Sequence, residues 1–297
     1  MKKQNSAADP KIAYGIVLYY FDDPGEIQRD LLEVIERYFQ VYSSPFTRVS
    51  KTGDRFSKWK ATDSDFDSLA NQIRDHDFTR SLFLSLTNSS TKDTADQRFL
   101  FWGRRIDTAF KSKTPNYLYF ELPAQTDVDV YWQLFQRSFE CHPFHLGFGN
   151  FVAVADEEFM PRSGASAAKQ VRNSEFFLLD FDASFRNVSF LSILENRNKL
   201  FLAHPSQFIG VGTELSSIID EALLHSPSMT ADFELVQQNG CCLFKANGMA
   251  GLREISDRFA PYYGDVSKPL MFWKPEEWSE WIVRVRGATP GRIFIPR

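Results

Sequence analysis

A segment near the middle of the chain, residues 116–156, constrains the fold more than any other. It opens with a strand pattern over 117–122, in which apolar side chains alternate with polar or aromatic ones. A helix pattern begins at Thr126 or Asp127 and carries one apolar stripe, and a second strand pattern follows over 144–155. Because such a stripe is buried only against another layer, the segment predicts a strand–helix–strand unit whose helix covers a sheet.

Helix signals recur on both sides of this unit. Asp23 is placed to cap a helix that has Pro24 in its first turn and runs to Tyr42. Thr213 precedes a second apolar stripe. The last helix is expected to begin at Pro275 and to stop at Gly287.

Strand signals are interspersed among these helices. Asn239-Gly240 separates two strand patterns, 233–237 and 241–246, and predicts a hairpin with a type I′ turn, because that turn needs positive φ at both central residues. Helices that alternate with strands and hairpins predict an α+β fold. We expect two α/β lobes, each a mixed or mainly antiparallel sheet with helices packed on one face.

Shifts in composition suggest where the lobes begin and end. Residues 1–10 read as a flexible tail, and 11–155 as the N-terminal α/β lobe. The stretch 156–173 contains acidic residues, Pro161 and a run of small residues, so it is interpreted as a connection that could be partly helical. The C-terminal α/β lobe is then expected over 174–297.

Composition and charge narrow the environment. The chain of 297 residues has a formal net charge of −4, which disfavours nucleic-acid binding and favours a basic partner. Its three cysteines, Cys141, Cys241 and Cys242, suggest a reducing compartment. No secretory signal and no apolar run of membrane-spanning length is seen, so we expect a cytoplasmic protein that does not enter a membrane.

One short stretch, Cys141-His142-Pro143-Phe144-His145, places a thiol beside two imidazoles. Zinc would need a fourth ligand, and no second Cys/His cluster stands at the usual spacing. The pattern favours a turn at a helix end. We therefore predict no catalytic residue, no metal site and no cofactor, while an enzyme site at Cys141, His142 or His145 in a cleft between the lobes is left open.

The acidic run that begins at Asp63 resembles the start of a calcium-binding loop, with Asp65 and Asp67 at the next alternate positions. Such a loop requires Gly and Glu further on, where this chain has Ser68 and Arg74. Carboxylates in the first turn of a helix explain the run better.

Acidic clusters and tryptophans are the candidate binding residues. Carboxylate clusters suit a cationic partner. For the tryptophans a core role is expected first, and an exposed aromatic patch that anchors a partner is the alternative. The candidates are Asp22, Asp23, Asp63, Asp65, Asp67, Asp156, Glu157, Glu158, Trp273 and Trp278.

Taken together, several blocks of the chain resemble the TsiV-type immunity proteins of type VI secretion systems. The resemblance lies in their arrangement over residues 12–286: the strand 15–21 with its helix to Tyr42, the blocks 117–123 and 148–151, the helix entry 207–224, the strand 239–245, and Tyr263-Gly264-Asp265 before a terminal helix.

The resemblance implies a non-enzymatic antitoxin that binds and neutralises a cognate effector toxin. With no export signal, the target is expected to act in the cytoplasm, plausibly as a nuclease, and acidic side chains would then mimic phosphates against a basic cleft. No direct nucleic-acid binding is expected of the chain itself. A homodimer, a small-molecule enzyme and an effector adaptor or chaperone are left open.

Overall fold

A computed structural model describes most of the chain. Strands and helices are numbered in chain order within the described ranges, which are 11–42, 46–51, 60–64, 66–88, 98–105, 115–154, 160–175, 179–181, 205–219, 232–263 and 273–287.

The described strands form one sheet that is almost entirely antiparallel. Their order across the sheet is β10-β11-β9-β7-β1-β6-β5-β4-β2-β3, and β8 pairs in parallel with β7. Their bounds are β1 Lys11–Tyr20, β2 Phe46–Lys51, β3 Lys60–Ser64, β4 Leu82–Thr87, β5 Arg98–Gly103, β6 Asn116–Pro123, β7 Leu146–Val154, β8 Asp180–Phe181, β9 Phe208–Val211, β10 Phe233–Gln238 and β11 Cys241–Ala246.

Seven α-helices lie within the described ranges. They are α1 Gln28–Val41, α2 Phe66–Arg74, α3 Val128–Cys141, α4 Met160–Asn173, α5 Thr213–Ser216, α6 Gly248–Phe259 and α7 Pro275–Arg286, and a 3-10 turn, Ala260–Tyr262, follows α6. None of the helices in the described part of the chain combines the length and the apolar character needed to cross a membrane.

Strand β1 lies at the centre of the sheet because it is apolar on both faces. It pairs with β6 on one side and with β7 on the other, so that Ile16 lies opposite both Phe120 and Gly149. Its even-numbered residues, such as Tyr14, join a core cluster with α1, α2 and α3. Its odd-numbered residues, such as Val17, join a second cluster with α5 and α6 on the opposite face.

The predicted α+β class is confirmed, with a mainly antiparallel sheet and helices packed on it. The two expected lobes share this sheet, since β9 and β11 of the C-terminal half extend it beyond β7. Sequence patterns could not show this, because strand pairing is set by contacts between distant segments. The lobe boundaries themselves stay a prediction.

A third core cluster lies around Ala153 of β7, between α4 and α7. The guanidinium of Arg284 donates to the carbonyls of Val171, Arg172 and Ser174 at 3.0–3.3 Å, and so caps the last turn of α4. The described part of the predicted connection is therefore helix α4, docked against the sheet.

Local signals locate several elements correctly. Asn239 and Gly240 have φ of 50° and 75°, as a type I′ hairpin turn requires. Asp127 caps α3 by accepting from the amide of Asp129 at 3.0 Å. The start of α1 lies later than predicted, at Gln28, because the Asp23 carboxylate accepts from the Gly25 amide within a preceding turn.

Candidate functional site

The segment after α3 positions two histidines beside the end of β1 and the start of β7, the central strands of the sheet. His142 is the C-cap, and its amide donates to the Ser138 carbonyl at 3.1 Å. Pro143 has no N–H to continue the helix, so the chain leaves α3 in an extended conformation. Three residues later, His145 leads into β7.

Two carboxylates flank the buried ring of His142. Its Nε2 lies 3.1 Å from Oδ2 of Asp22, and its Nδ1 lies 3.7 Å from Oδ2 of Asp30 on α1. The loop that carries Asp22 is held in place by Asn116, whose side-chain amide donates to the Asp22 carbonyl at 3.1 Å. His142 therefore connects β1, α1 and α3.

His145 makes the corresponding connection to α5. Its backbone amide donates to Tyr19 and its carbonyl accepts from Gly212, at 2.8 and 3.0 Å. Its Nδ1 lies 3.3 Å from Oε2 of Glu214, and its ring packs edge-on against Phe21 at 4.8 Å between centroids.

These residues line a pocket of about 140 Å³, formed by Phe21, Asp22, His142, Pro143, His145, Thr213 and Glu214. The imidazoles are buried, whereas the side chains of Asp22 and Glu214 are 53% and 70% exposed. The pocket thus presents carboxylates to solvent and can bind a cationic group. Among the described residues, no group of three or more side chains could hold a metal ion.

The cysteines are poor nucleophiles in this arrangement. Burial raises the pKa of Cys141 to about 11, although Arg37 beside it acts in the opposite direction. Its thiol is therefore protonated at neutral pH. Cys241 and Cys242 face opposite sides of the sheet, in the first and second clusters, as the strand period predicts.

The predicted acidic residues are not gathered at one site. Asp22 lies in the pocket, whereas Asp23 caps a turn and pairs with Arg105 at 3.4 Å. Asp67 is exposed in the first turn of α2, and Asp63 belongs to β3. The remaining predicted positions, Asp65, Asp156, Glu157 and Glu158, lie outside the described residues.

The two candidate tryptophans lie in the third core cluster rather than on the surface. Trp273 and Trp278 are 7% and 1% exposed, and with Trp281 they form a triangle with ring centroids 5.4–5.6 Å apart. Their indoles fill the space between α4 and α7. A partner could reach them only after this cluster opened, which favours the expected core role over an anchor patch.

A second and larger concavity separates α1 from α2. This groove has a volume of about 550 Å³ and is lined by Gln28, Arg29, Leu32, Glu33, Glu36, Arg37, Gln40, Phe66 and Arg74. Leu32 and Phe66 supply apolar surface, and the other residues are polar or charged. Here the chain can accommodate a segment of another molecule.

Sequence reasoning missed Asp30, Glu214 and the groove arginines. Arg29, Glu33 and Arg37 follow one another at i, i+4 spacing, which indicates only a solvated helix face. Asp30 and Glu214 are far from the histidines in the chain, so no local pattern connects them. The pairing of β9 with β7 brings Glu214 to His145, and the pairing of β1 with β7 brings the start of α1 with Asp30 to His142.

Comparisons with known proteins cover family models, curated proteins and solved structures. No family model matches the chain, and no curated protein matches it. Among solved structures, the chain is similar to the Pseudomonas aeruginosa type VI secretion system protein PA0821, with a TM-score of 0.75 and 12% sequence identity. The match covers 96% of this chain and 85% of that one. At this identity the comparison shows that the two chains share a fold.

Proposed function

We propose that this chain is an immunity protein that binds and neutralises a cognate type VI secretion effector toxin. The observation that carries the proposal is the shared fold, over 96% of the chain, with a protein described as a type VI secretion system protein. The sequence blocks that resemble TsiV-type immunity proteins support the same class.

Inhibition would then work by contact rather than by turnover. A stable inhibitor covers an interface of about 1,600 Å² or more, enough to occlude an active site or to block a rearrangement that the toxin needs. The exposed carboxylates of Asp22 and Glu214 lie at the pocket and suit a basic partner such as a nuclease cleft. We propose that the toxin acts in the cytoplasm, where this chain meets it.

Co-expression tests the proposal directly. The candidate toxin is the product of the gene next to the one for this chain. When both are expressed in one cell, we expect the chain to restore growth and to copurify with the toxin. Growth arrest despite folded, abundant chain would argue against an immunity function.

The carboxylates can be tested by neutralisation. Asp22→Asn/Glu214→Gln keeps hydrogen-bonding capacity and removes two charges, and we expect about a tenfold weaker toxin affinity or more. Asp75→Asn/Asp257→Asn changes the net charge equally at exposed positions elsewhere and serves as the control. If both variants bound the toxin with equal affinity, the pocket would not be part of the toxin interface.

A second candidate function, a small-molecule enzyme, is favoured by one observation, the two imidazoles beside carboxylates in a pocket. The triple variant Cys141→Ala/His142→Ala/His145→Ala separates the two functions. We expect it to rescue growth, because binding does not require proton transfer. Because both histidines are buried, the circular dichroism spectrum of the variant must first be shown to match that of the wild type. If the folded variant then failed to rescue growth, the enzyme function would be favoured.

A further inference from the structure

The groove between α1 and α2 has firmly held walls. The side-chain amide of Gln28 donates to the carbonyls of Ile73 and Arg74 at 3.1 and 3.4 Å, which ties the start of α1 to the end of α2. Leu32 belongs to the first core cluster, and Phe66 packs against it. Since both helices are anchored in this way, the groove exists before any partner binds, and ordering it costs little.

The charges along the groove favour an anionic occupant. Three arginines and two glutamates line the groove, whereas the whole chain carries a net charge of −4. Arg37 donates to Glu33 at 2.7 Å, and this hydrogen bond is the main reason that the pKa of Glu33 is lowered. Glu33 is therefore already paired with Arg37, and Arg29 also helps to lower its pKa. Arg29 and Arg74 are exposed, although the Arg74 guanidinium donates to the Asn71 side chain at 3.0 Å, and the groove as a whole carries one more positive than negative side chain.

The mixture of surfaces narrows the class of occupant further. A guanidinium pairs best with a carboxylate or a phosphate, and Leu32 and Phe66 offer an apolar side chain a place to pack. A nucleic-acid strand has a phosphate at every nucleotide, so some phosphates would lie beside Glu33 and Glu36, and its backbone would leave Leu32 and Phe66 uncovered. A polypeptide, in contrast, can place its carboxylates only opposite the arginines. A polypeptide segment satisfies both surfaces.

We propose that this groove receives an acidic segment of the partner protein, with an apolar side chain seated on Leu32 and Phe66 and carboxylates paired to Arg29 and Arg74. The inference rests on the proposed function, because the partner in question is the effector toxin. The partner would then contact two surfaces of opposite charge, the basic groove and the acidic pocket at Asp22 and Glu214. Together these two contacts would select one partner.

Charge reversal at the groove tests this contact. The probe is a catalytically inactive variant of the toxin that the co-expression experiment identifies, and affinity is measured by calorimetry. Arg29→Glu/Arg74→Glu should weaken binding by about tenfold or more, because like charges would then face each other. The control, Arg80→Glu/Arg253→Glu, makes the same charge change at exposed positions outside the groove and should bind as the wild type does.

Further measurements separate the remaining outcomes. Replacing acidic residues of the toxin by lysine should restore binding to the Arg29→Glu/Arg74→Glu variant. Toxin binding that survives this reversal in full would overturn the groove inference alone, whereas a wild-type chain that fails to bind the toxin would overturn the proposed function and the inference with it. Duplex DNA that binds the wild-type groove and displaces the toxin would assign the arginines to phosphate instead.

Discussion

Gly212 lies where β9 turns toward α5, against the segment that positions His145. A Cβ at this position would overlap the carbonyl oxygen of Phe144 and would lie 3.1 Å from the Cα of His145. We expect Gly212→Ala to lower the free energy of unfolding by about 1–3 kcal/mol, as overpacking does, in urea titrations. Gly25→Ala, in an exposed turn where the Cβ would lie 3.2 Å from Oδ1 of Asp23 and would overlap no backbone atom, is the control and should lower the free energy of unfolding by less than Gly212→Ala does.

Substitution of Trp278 distinguishes a core role of the three clustered tryptophans from a role in binding. Trp278 is buried against Trp273 and Trp281, so Trp278→Ala should cost about 3–5 kcal/mol of unfolding free energy. Trp278→Phe keeps much of the buried area and should cost less. Unchanged stability of the alanine variant, with lost toxin binding, would instead indicate a binding anchor.

At the scale of elements, helix α3 is bound to the β10–β11 hairpin along its length. Lys245 on β11 is buried, and its Nζ lies 2.6 Å from Asp129 and 6.0 Å from the centre of the Trp132 ring. Trp132 donates to Glu234 of β10 at 3.0 Å. These contacts hold the C-terminal hairpin against a helix of the N-terminal half.

This attachment should be measurable as a coupling energy. Lys245→Met keeps the alkyl chain over Trp132 and removes the charge. We expect the free energy of unfolding to fall by about 1–2 kcal/mol; the loss stays this small because Asp129 is 68% exposed and solvent screens its charge. A double-mutant cycle with Asp129→Asn isolates the pair. Arg137→Ala removes an exposed pair on the same helix and should change stability by less than about 0.5 kcal/mol. Equal losses for Lys245 and Arg137 would contradict the buried attachment.

Elements with local causes could be predicted from the sequence. Asn239-Gly240 specifies its own turn, and Pro275 and Gly287 mark the ends of α7 through backbone chemistry that needs no distant partner. Asp23 shows the limit of such reasoning, because its carboxylate can cap either a helix or a turn. The structure has the turn, which moves the start of α1 to Gln28.

The candidate site was only partly predictable for a related reason. His142, His145 and Asp22 were visible as residue types, but their proximity depends on the pairing of β1 with β7. The tryptophans had the same helical spacing whether they were core or surface residues. Their burial depends on α4, a helix more than a hundred residues away that the sequence presented as a connection.

At the scale of the whole molecule, the common sheet predicts that the two halves do not fold separately. Phe208 of β9 packs against Tyr14, Trp132 and Phe135 of the N-terminal half. We expect fragments 1–155 and 174–297 to be unfolded alone, and the full chain to unfold in one transition with coincident near- and far-ultraviolet circular dichroism. Two separate transitions would support independent lobes.

Alkaline pH should also act on the whole molecule. Burial raises the pKa of Tyr131 and of Tyr263 to about 12, and it raises the pKa values of Tyr14, Tyr20 and Tyr38 well above 10. Because the folded state holds these protons more tightly than the unfolded state, their contribution is complete below pH 10 and is lost as the pH rises through the folded pKa values. Stability measured in urea should therefore fall between pH 10 and 12.

A single variant checks the origin of that loss. Tyr263→Phe removes one of the titrating groups and should reduce the slope of stability against pH in this range, with little change at neutral pH. An unchanged slope would assign the alkaline loss to other groups.

The central position of β1 has a consequence for biosynthesis. Tyr20 pairs with Asn116, and Lys11 pairs with Val154, so the first strand emerges from the ribosome long before either neighbour exists. At ordinary translation rates the delay is roughly ten seconds. During that interval a ten-residue strand, apolar over most of its length, has both hydrogen-bonding edges open. We expect the nascent chain to need a ribosome-associated chaperone until residue 154 has left the ribosome.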